Sequence, residues 1–298
     1  MGLNFDEQGV ATVDRDTCVG CGQCVEICPS KVLELDDGAA RRTDGIFMGC
    51  IACGHCMMVC PTESISVSGR ELRPEDRREL RPAGDRATAE QFEALIAARR
   101  SVRKFEDREV ERELVERIVE MTSTAPMGIP PHEVGVLVFH GREKVRALSE
   151  YACQSFGKMA RFFNPLVLTV MRPFVGRAGH AVLRDFVRPL LKLLSESRSE
   201  GIDVFAYDAP VAMVFYHSEL GDTADATIAA TYAMLAAESL GLGSCLLGTV
   251  SALDHDKKFK AKYGLPAKSK IGLGLILGYP NVEFQRGVKR RLAAVEYA

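Results

Sequence analysis

The chain of 298 residues carries almost no net charge, with 38 lysines and arginines against 40 aspartates and glutamates, a formal −2. Nothing at the level of the whole chain therefore points to nucleic acid or an anionic membrane as partner. Residues 1–9 contain neither a basic region nor an apolar core, so no export signal is expected. Nor is there a transmembrane segment: the most apolar run, 162–175, is too short to span a bilayer and is broken by Pro165, Arg172 and Pro173. Gly-x-Gly-x-x-Gly is absent, which argues against a built-in Rossmann site for NAD(P)H. Cysteine is scarce outside one segment: of ten, only Cys153 and Cys245 lie beyond residue 60, and both read as buried apolar residues. What remains, 47% apolar and 26% charged, is ordinary globular composition with room for two domains.

The other eight cysteines stand in C-V-G-C-G-Q-C-V-E-I-C-P at 18–29 and C-I-A-C-G-H-C-M-M-V-C-P at 50–61, two copies of C-x2-C-x2-C-x3-C-P. Cysteines at i, i+3 and i+6 on a tight turn can set three thiolates on one cubane, while the fourth ligates the other cluster. Cluster one is thus assigned Cys18, Cys21, Cys24 and Cys60, and cluster two Cys50, Cys53, Cys56 and Cys28. Gly20, Gly22 and Gly54 let backbone N–H groups approach the sulfurs, and Pro29 and Pro61 turn the chain away. Zinc needs only four ligands per ion, and a disulfide framework belongs to short secreted chains, so neither explains the doubled quartet. His55 reads as exposed rather than as a tuner of its cluster. The segment resembles the bacterial two-[4Fe–4S] ferredoxin family over 1–69. Strands expected at 10–13, 32–35 and 65–67 fit its β-α-β-β-α-β unit. Thiolate-bound iron without an export signal points to the cytoplasm.

Residues 70–87, charged with both signs and holding two prolines, read as a linker, a plain spacer in preference to a docking strip. A second domain follows over 88–298. Thr88 and Gln91 suit a capping box ahead of a helix bearing Phe92, Leu95 and Ile96. Leu114, Val115, Ile118, Val119 and Met121 mark a second helix, 125–133 a loop, and 134–139, 210–216 and 271–277 strands. The segment 224–240, apolar on nearly every side, is a helix for the core or a subunit interface. Residues 158–205 form a helical excursion with Leu183, Phe186, Val187, Leu190, Leu191 and Leu194 on one face and a kink at Pro189. It is expected to pack on the core or a partner subunit, in preference to acting as a lid or a membrane-surface helix.

Three places in this domain suit an anionic cofactor: R-R-S-V-R at 99–103, the loop at 125–132, and K-R-R at 289–291. With A-P-M-G-I-P-P at 125–131, A-A-E-S-L-G-L-G-S-C-L-L-G at 236–248 and G-Y-P at 278–280, they carry a resemblance to the FMN-dependent nitroreductase family along nearly all of 89–298. The resemblance implies an α+β fold, a mixed, mostly antiparallel sheet wrapped by helices, in a homodimer with FMN at the subunit interface. It implies phosphate and ribityl contacts from Arg99, Ser101 and Arg103, with Arg100 adjacent. Ring contacts would come from Pro126, Met127 and Gly128, and an edge from Leu247, Gly248 and Thr249. Lys289 and Arg291 would complete the phosphate site, with Arg286 and Arg290 as alternatives of register. Many family members continue the Ala-Pro loop with Asn-x-Gln-Pro-Trp; this chain has Ile-Pro-Pro-His-Glu at 129–133 and no tryptophan. His132 is the candidate proton donor to a reduced substrate. The expected activity is an iron–sulfur flavoprotein oxidoreductase. It would take electrons from a low-potential donor such as ferredoxin and reduce a small organic acceptor: a nitroaromatic, a quinone or an activated alkene. The rival reading is a non-catalytic relay or redox sensor that docks a protein partner.

Overall fold

Two five-residue helices with the same caps carry the cysteine repeat. In the computed structural model, which describes residues 8–46, 49–128 and 132–297 but not the side chains of 198 and 199, the chain begins with β1 (Val10–Val13) and α1 (Gln23–Ile27). It continues through β2 (Leu33–Asp36), β3 (Ala39–Arg42), α2 (His55–Val59) and β4 (Ile65–Ser68), the expected β-α-β-β-α-β order. Strands β1 and β4 pair antiparallel, as do β2 and β3. Both helices start from a left-handed glycine, Gly22 at φ 76° and Gly54 at φ 74°, a conformation that penalises any side chain. Both end on a cysteine in extended conformation, Cys28 and Cys60. Strand β3 escapes sequence reading because Ala-Ala-Arg-Arg has no alternation.

The strip over 70–87 is mostly exposed and contains only two short 3-10 turns, Pro74–Asp76 and Ala83–Asp85. Arg77 pairs with Glu63 at 2.7 Å, Arg78 with Glu120, and Arg70 reaches Glu133 at 3.9 Å with both side chains largely buried. The strip therefore lies along the surface of both neighbours.

Beyond it come α3 (Ala89–Ala98), α4 (Arg112–Thr122), β5 (Val134–His140), α5 (Arg142–Phe162), α6 (Pro165–Val182), α7 (Arg188–Glu196), β6 (Val211–His217), α8 (Thr223–Ser239), β7 (Gly243–Leu247), α9 (Lys257–Lys262) and β8 (Lys270–Gly278). The four strands run antiparallel in the order β5-β6-β8-β7. Helices cover both faces, so β6 reads as an unbroken apolar run. Val211, Met213 and Phe215 pack with α4 and the alanine-rich side of α8, whereas Ala212 and Val214 join Leu148, Phe156 and Leu191 of α5 and α7. The expected all-round apolar helix is thus α8, and its place is the core. The capping box at Thr88 is present, but the apolar side of α3 finds little cover in this chain: Phe92 and Ile96 are 50% and 44% exposed.

The excursion differs from expectation in two respects. The break falls at Gly176 (φ 71°, ψ 178°) and in a π-helical turn at Leu183–Val187, with Pro189 in the first turn of α7. Proline has no N–H for the residue four back, so a wider turn ahead of it relieves the clash that a kink would otherwise absorb. Phe186, placed with the buried face, is instead 63% exposed, while Leu191 and Leu194 are buried as expected.

Candidate functional site

The cysteines gather into two sets. Cys18, Cys21, Cys24 and Cys60 line one small cavity with Gly20, Gly22 and Ala40. Cys28, Cys50, Cys53 and Cys56 line another with Gly54, His55 and Val67. Each set is three cysteines from one copy of the repeat and the last from the other copy. Among the described residues no three His, Cys, Asp or Glu side chains gather closely enough to hold a single ion. The sulfurs stand around the walls of each cavity, as a donor set for a multi-iron body would. Backbone N–H groups already point at them: Val32 donates to Cys28 Sγ and Ala40 to Cys18 Sγ, both at 3.4 Å. Such bonds favour negative sulfur and tune a cluster's potential.

The two cavities differ in depth. Cys21 is exposed, whereas Cys28, Cys50 and Cys56 are buried. Burial, reinforced by Cys50, Cys53 and Cys28, pushes the Cys56 thiol up to about 12. Burial likewise raises Cys24 and Cys50. At Cys60 burial acts in the same direction, but hydrogen bonds from Thr62, Ser64 and Ile65 outweigh it and hold the thiol below its usual range. Filling the deeper cavity with metal must therefore release protons. His55 is exposed at the rim.

The residues expected around a flavin fall into two groups. Arg99 caps α3, and the chain after it runs beside the sheet: Ser101 bridges Ser244 of β7 in parallel, and Val102 N–H donates to Ser244 O at 2.9 Å. Gly243 must be glycine here, since a Cβ would meet Val102 at 2.7 Å. Arg100 Nη2 lies against Gly287, two residues before Lys289, so the C-terminal strip passes beside this cluster. Arg103 lies over the Tyr207 ring at 5.8 Å. Lys289 and Arg291 are exposed. Leu247, Gly248 and Thr249 follow directly at the end of β7, roughly 10 Å from Ser244 at the usual strand rise. Glu238, near Arg99 and Arg100, is a weak counter-ion: burial holds its carboxyl above the usual range although both guanidiniums pull it down.

Pro126, Met127 and Gly128 form the second group. Gly128 N–H donates to Asp225 Oδ1 at 3.1 Å, in the capping box that opens α8. Asp225 and Glu238 are thirteen residues apart on one helix, so Gly128 and the Arg99–Arg100 end of the first group are separated by about 20 Å at 1.5 Å per residue. Leu247, at the other end of β7, pairs with Gly274, two residues from the Gly272 that abuts Ala226 beside Asp225. The Ile-Pro-Pro part of the loop, 129–131, lies outside the described residues; His132 is exposed with φ 71°. A hollow between α5 and α7 is lined by Arg161, Arg188, Lys192, Glu150 and Glu196 and includes none of these residues. Sequence reading gave no role to Asp225, Glu238 or Tyr207, although Glu238 stands in the quoted 236–248 motif and Asp225 in the Asp-x-x-Asp capping pattern at 222–225.

A family model described as the nitroreductase family matches residues 96–279, and one described as a 4Fe-4S dicluster domain matches 17–64. Ferredoxin-2 of Desulfomicrobium norvegicum is 57% identical over 28 residues, 9% of this chain and 48% of that protein. Ferredoxin-1 of Nitratidesulfovibrio vulgaris is 59% identical over 29 residues, 10% of this chain and 47% of that protein. The chain thus spans about half the length of the curated relatives it matches. Among solved structures, a nitroreductase with bound FMN from Bacteroides fragilis superposes with a TM-score of 0.52 at 19% identity, covering 69% of this chain and 97% of that one. At that identity the likeness concerns the fold alone.

Proposed function

The chain belongs to the nitroreductase family, and from that premise we propose that it is an FMN-dependent oxidoreductase fed by two [4Fe–4S] clusters, which reduces a small organic acceptor. The observation that carries this reading is the division of eight cysteines into two four-sulfur cavities on the same chain as the family's flavin-type motifs. When bound, the clusters exchange single electrons and FMN couples them to two-electron reduction of a nitroaromatic, quinone or activated alkene.

Cys18, Cys21, Cys24 and Cys60 would hold one cluster and Cys28, Cys50, Cys53 and Cys56 the other. The exposed Cys21 favours the first as the side that meets a low-potential donor, while the deeper quartet excludes water. The guanidiniums of Arg99, Arg100 and Arg103, with Ser101, supply donors for a phosphate, and the neighbouring C-terminal strip brings Lys289 and Arg291 to the same charge. Leu247, Gly248 and Thr249 stand at ring distance from that cluster. Pro126, Met127 and Gly128 lie toward the same end of α8 as Leu247, and a second copy, as in the family's homodimers, would complete the site from across the interface. The uncovered Phe92 and Ile96 of α3, and Val288 and Leu292 in the C-terminal strip at 75% and 80% exposed, support the same homodimer.

Anaerobically purified protein should contain about eight iron atoms per chain, four for each cubane, together with FMN, and should turn over small acceptors under a chemical reductant. Iron near one atom per chain, or no flavin, would sink the reading. The composite site has its own test. Co-expressed Arg103→Ala and Met127→Asp chains should form mixed dimers with one intact site and, without added FMN, show more activity than either variant dimer alone. No recovery would place both groups in one chain's site.

A further inference from the structure

Two residues in the turn after β4 have left-handed backbone although neither is glycine or asparagine: Arg70 at φ 50° and Glu71 at φ 69°. Gly69 and Leu72 close that turn with two mutual hydrogen bonds of 3.0 Å. A two-residue turn of this kind normally takes Asn-Gly, because larger side chains are strained there. Such strain persists where the surroundings hold it, and it points to a use for the side chain. Arg70 reaches Glu133 at 3.9 Å, and the two side chains are 10% and 4% exposed. The other ion pairs of the strip, Arg77–Glu63 and Arg78–Glu120, are open to solvent.

Each end of the buried pair adjoins a site. Leu72 packs on Gly54, where a Cβ would meet it at 3.3 Å, and Gly54 lines the deeper cysteine cavity. Glu133 lies beside Gly221, whose Cβ would meet the Glu133 Cβ at 3.4 Å, and its carbonyl accepts from Ser218 N–H at 3.0 Å. That is the approach to α8, where Asp225 holds Gly128. On the shallower cavity, by contrast, Cys21 is exposed and Gly20 abuts the Gly38 carbonyl of its own domain. We propose that the deeper quartet holds the exit cluster, and that Arg70 and Glu133 are positioning residues that fix it against the flavin loop. The inference rests on the function proposed above. In each transfer the deeper cluster is oxidised by one electron and FMN is reduced by one. Two transfers and a proton from solvent give the reduced flavin anion, and the shallower cluster refills the deeper one from the donor. Removing either charge of a buried pair is costly, and the junction is the part that can give.

The test uses full-length protein with the parent's iron and flavin content. Arg70→Asn suits a left-handed turn better than arginine does but removes the charge. Exchange of the Leu72 and Ser218 amides should nevertheless quicken roughly tenfold or more in Arg70→Asn and in Glu133→Gln. Reduction of the flavin by a viologen radical, a small one-electron donor that needs no docking face, should slow roughly tenfold in both. Arg78→Gln, at an exposed pair, should change neither reading. Cys53→Ala should slow flavin reduction by viologen more than Cys21→Ala does. Slower exchange in Arg70→Asn would make the residue a turn former only, and quickened exchange with unchanged flavin reduction would remove the positioning role. A larger effect of Cys21→Ala would make the shallower cluster the exit. Each of these overturns the inference and leaves the proposed function standing. If viologen reduces the parent's flavin no faster than that of iron-stripped protein, the proposed function fails and the inference with it.

Discussion

Arg103 belongs to the first of the two groups expected around a flavin. It follows the α3 cap, lies over Tyr207, and stands two residues past the chain that bridges β7. Removing a guanidinium from a charge-assisted phosphate contact should cost about 1.5–3 kcal/mol, a tenfold to hundredfold loss of FMN affinity. Arg103→Ala should therefore purify partly flavin-free and regain activity with added FMN; an unchanged FMN dissociation constant would remove it from the site. Cys56 makes the complementary case at the other end of the chain. Its thiol is deeply buried among Cys28, Cys50 and Cys53, so Cys56→Ala should lower iron and sulfide content while flavin content holds. Equal loss of flavin would mean that the cluster segment and the flavin domain do not fold independently.

At the scale of elements, the connection from α9 to β8 depends on charges held out of water. Asp254 accepts from Lys260 Nζ at 3.1 Å and from Ile271 N–H at 2.9 Å, and Lys260 is 6% exposed. Burial alone would raise the Asp254 carboxyl, but the Ile271 N–H, Lys260 and Lys270 outweigh it and hold it below the usual range. A carboxyl lowered in the folded state contributes stability above its unfolded pKa and loses that contribution as pH falls through the folded value. The melting temperature should accordingly drop as pH falls below about 4, and Asp254→Asn should flatten that drop. Asp254→Ala, which leaves the buried Lys260 ammonium with the Ser269 carbonyl but no counter-charge, should cost about 3 kcal/mol in denaturant unfolding. A variant as stable as the parent would show that Lys260 finds another partner. In the capping box of α8, Asp225 also accepts from Gly128 N–H and so ties the 126–128 loop to that helix.

For the molecule as a whole, the arrangement predicts a direction of flow. A domain that moves single electrons is superfluous if hydride reaches FMN directly, so reduced ferredoxin should reduce the flavin faster than NAD(P)H does. In protein whose shallower quartet is disabled by Cys21→Ala, reduction by ferredoxin should fall while flavin content stays. NAD(P)H reducing the parent as fast as ferredoxin would make the clusters an exit path and reverse the flow.

Much of this was legible in the residues because it depends on local chemistry. The doubled cysteine spacing leads to the two groups of four that line the two cavities, since three cysteines lie on one tight turn and the fourth is four residues on, at the end of a short helix. The capping box at Thr88, the apolar periodicity of α4 and the apolar run of β6 are likewise short-range facts. Strands β3 and β7 were not legible: Ala-Ala-Arg-Arg and Gly-Ser-Cys-Leu-Leu have no period of their own and become strands only when β2 and β8 pair with them. The spacing could not show that 70–87 lies along both neighbours, because ion pairs to Glu63 and Glu120 join residues distant in sequence. Nor could it show that Gly128 and Arg99 stand at opposite ends of α8. Separation in space is set by which elements pack together, and only the folded chain decides that.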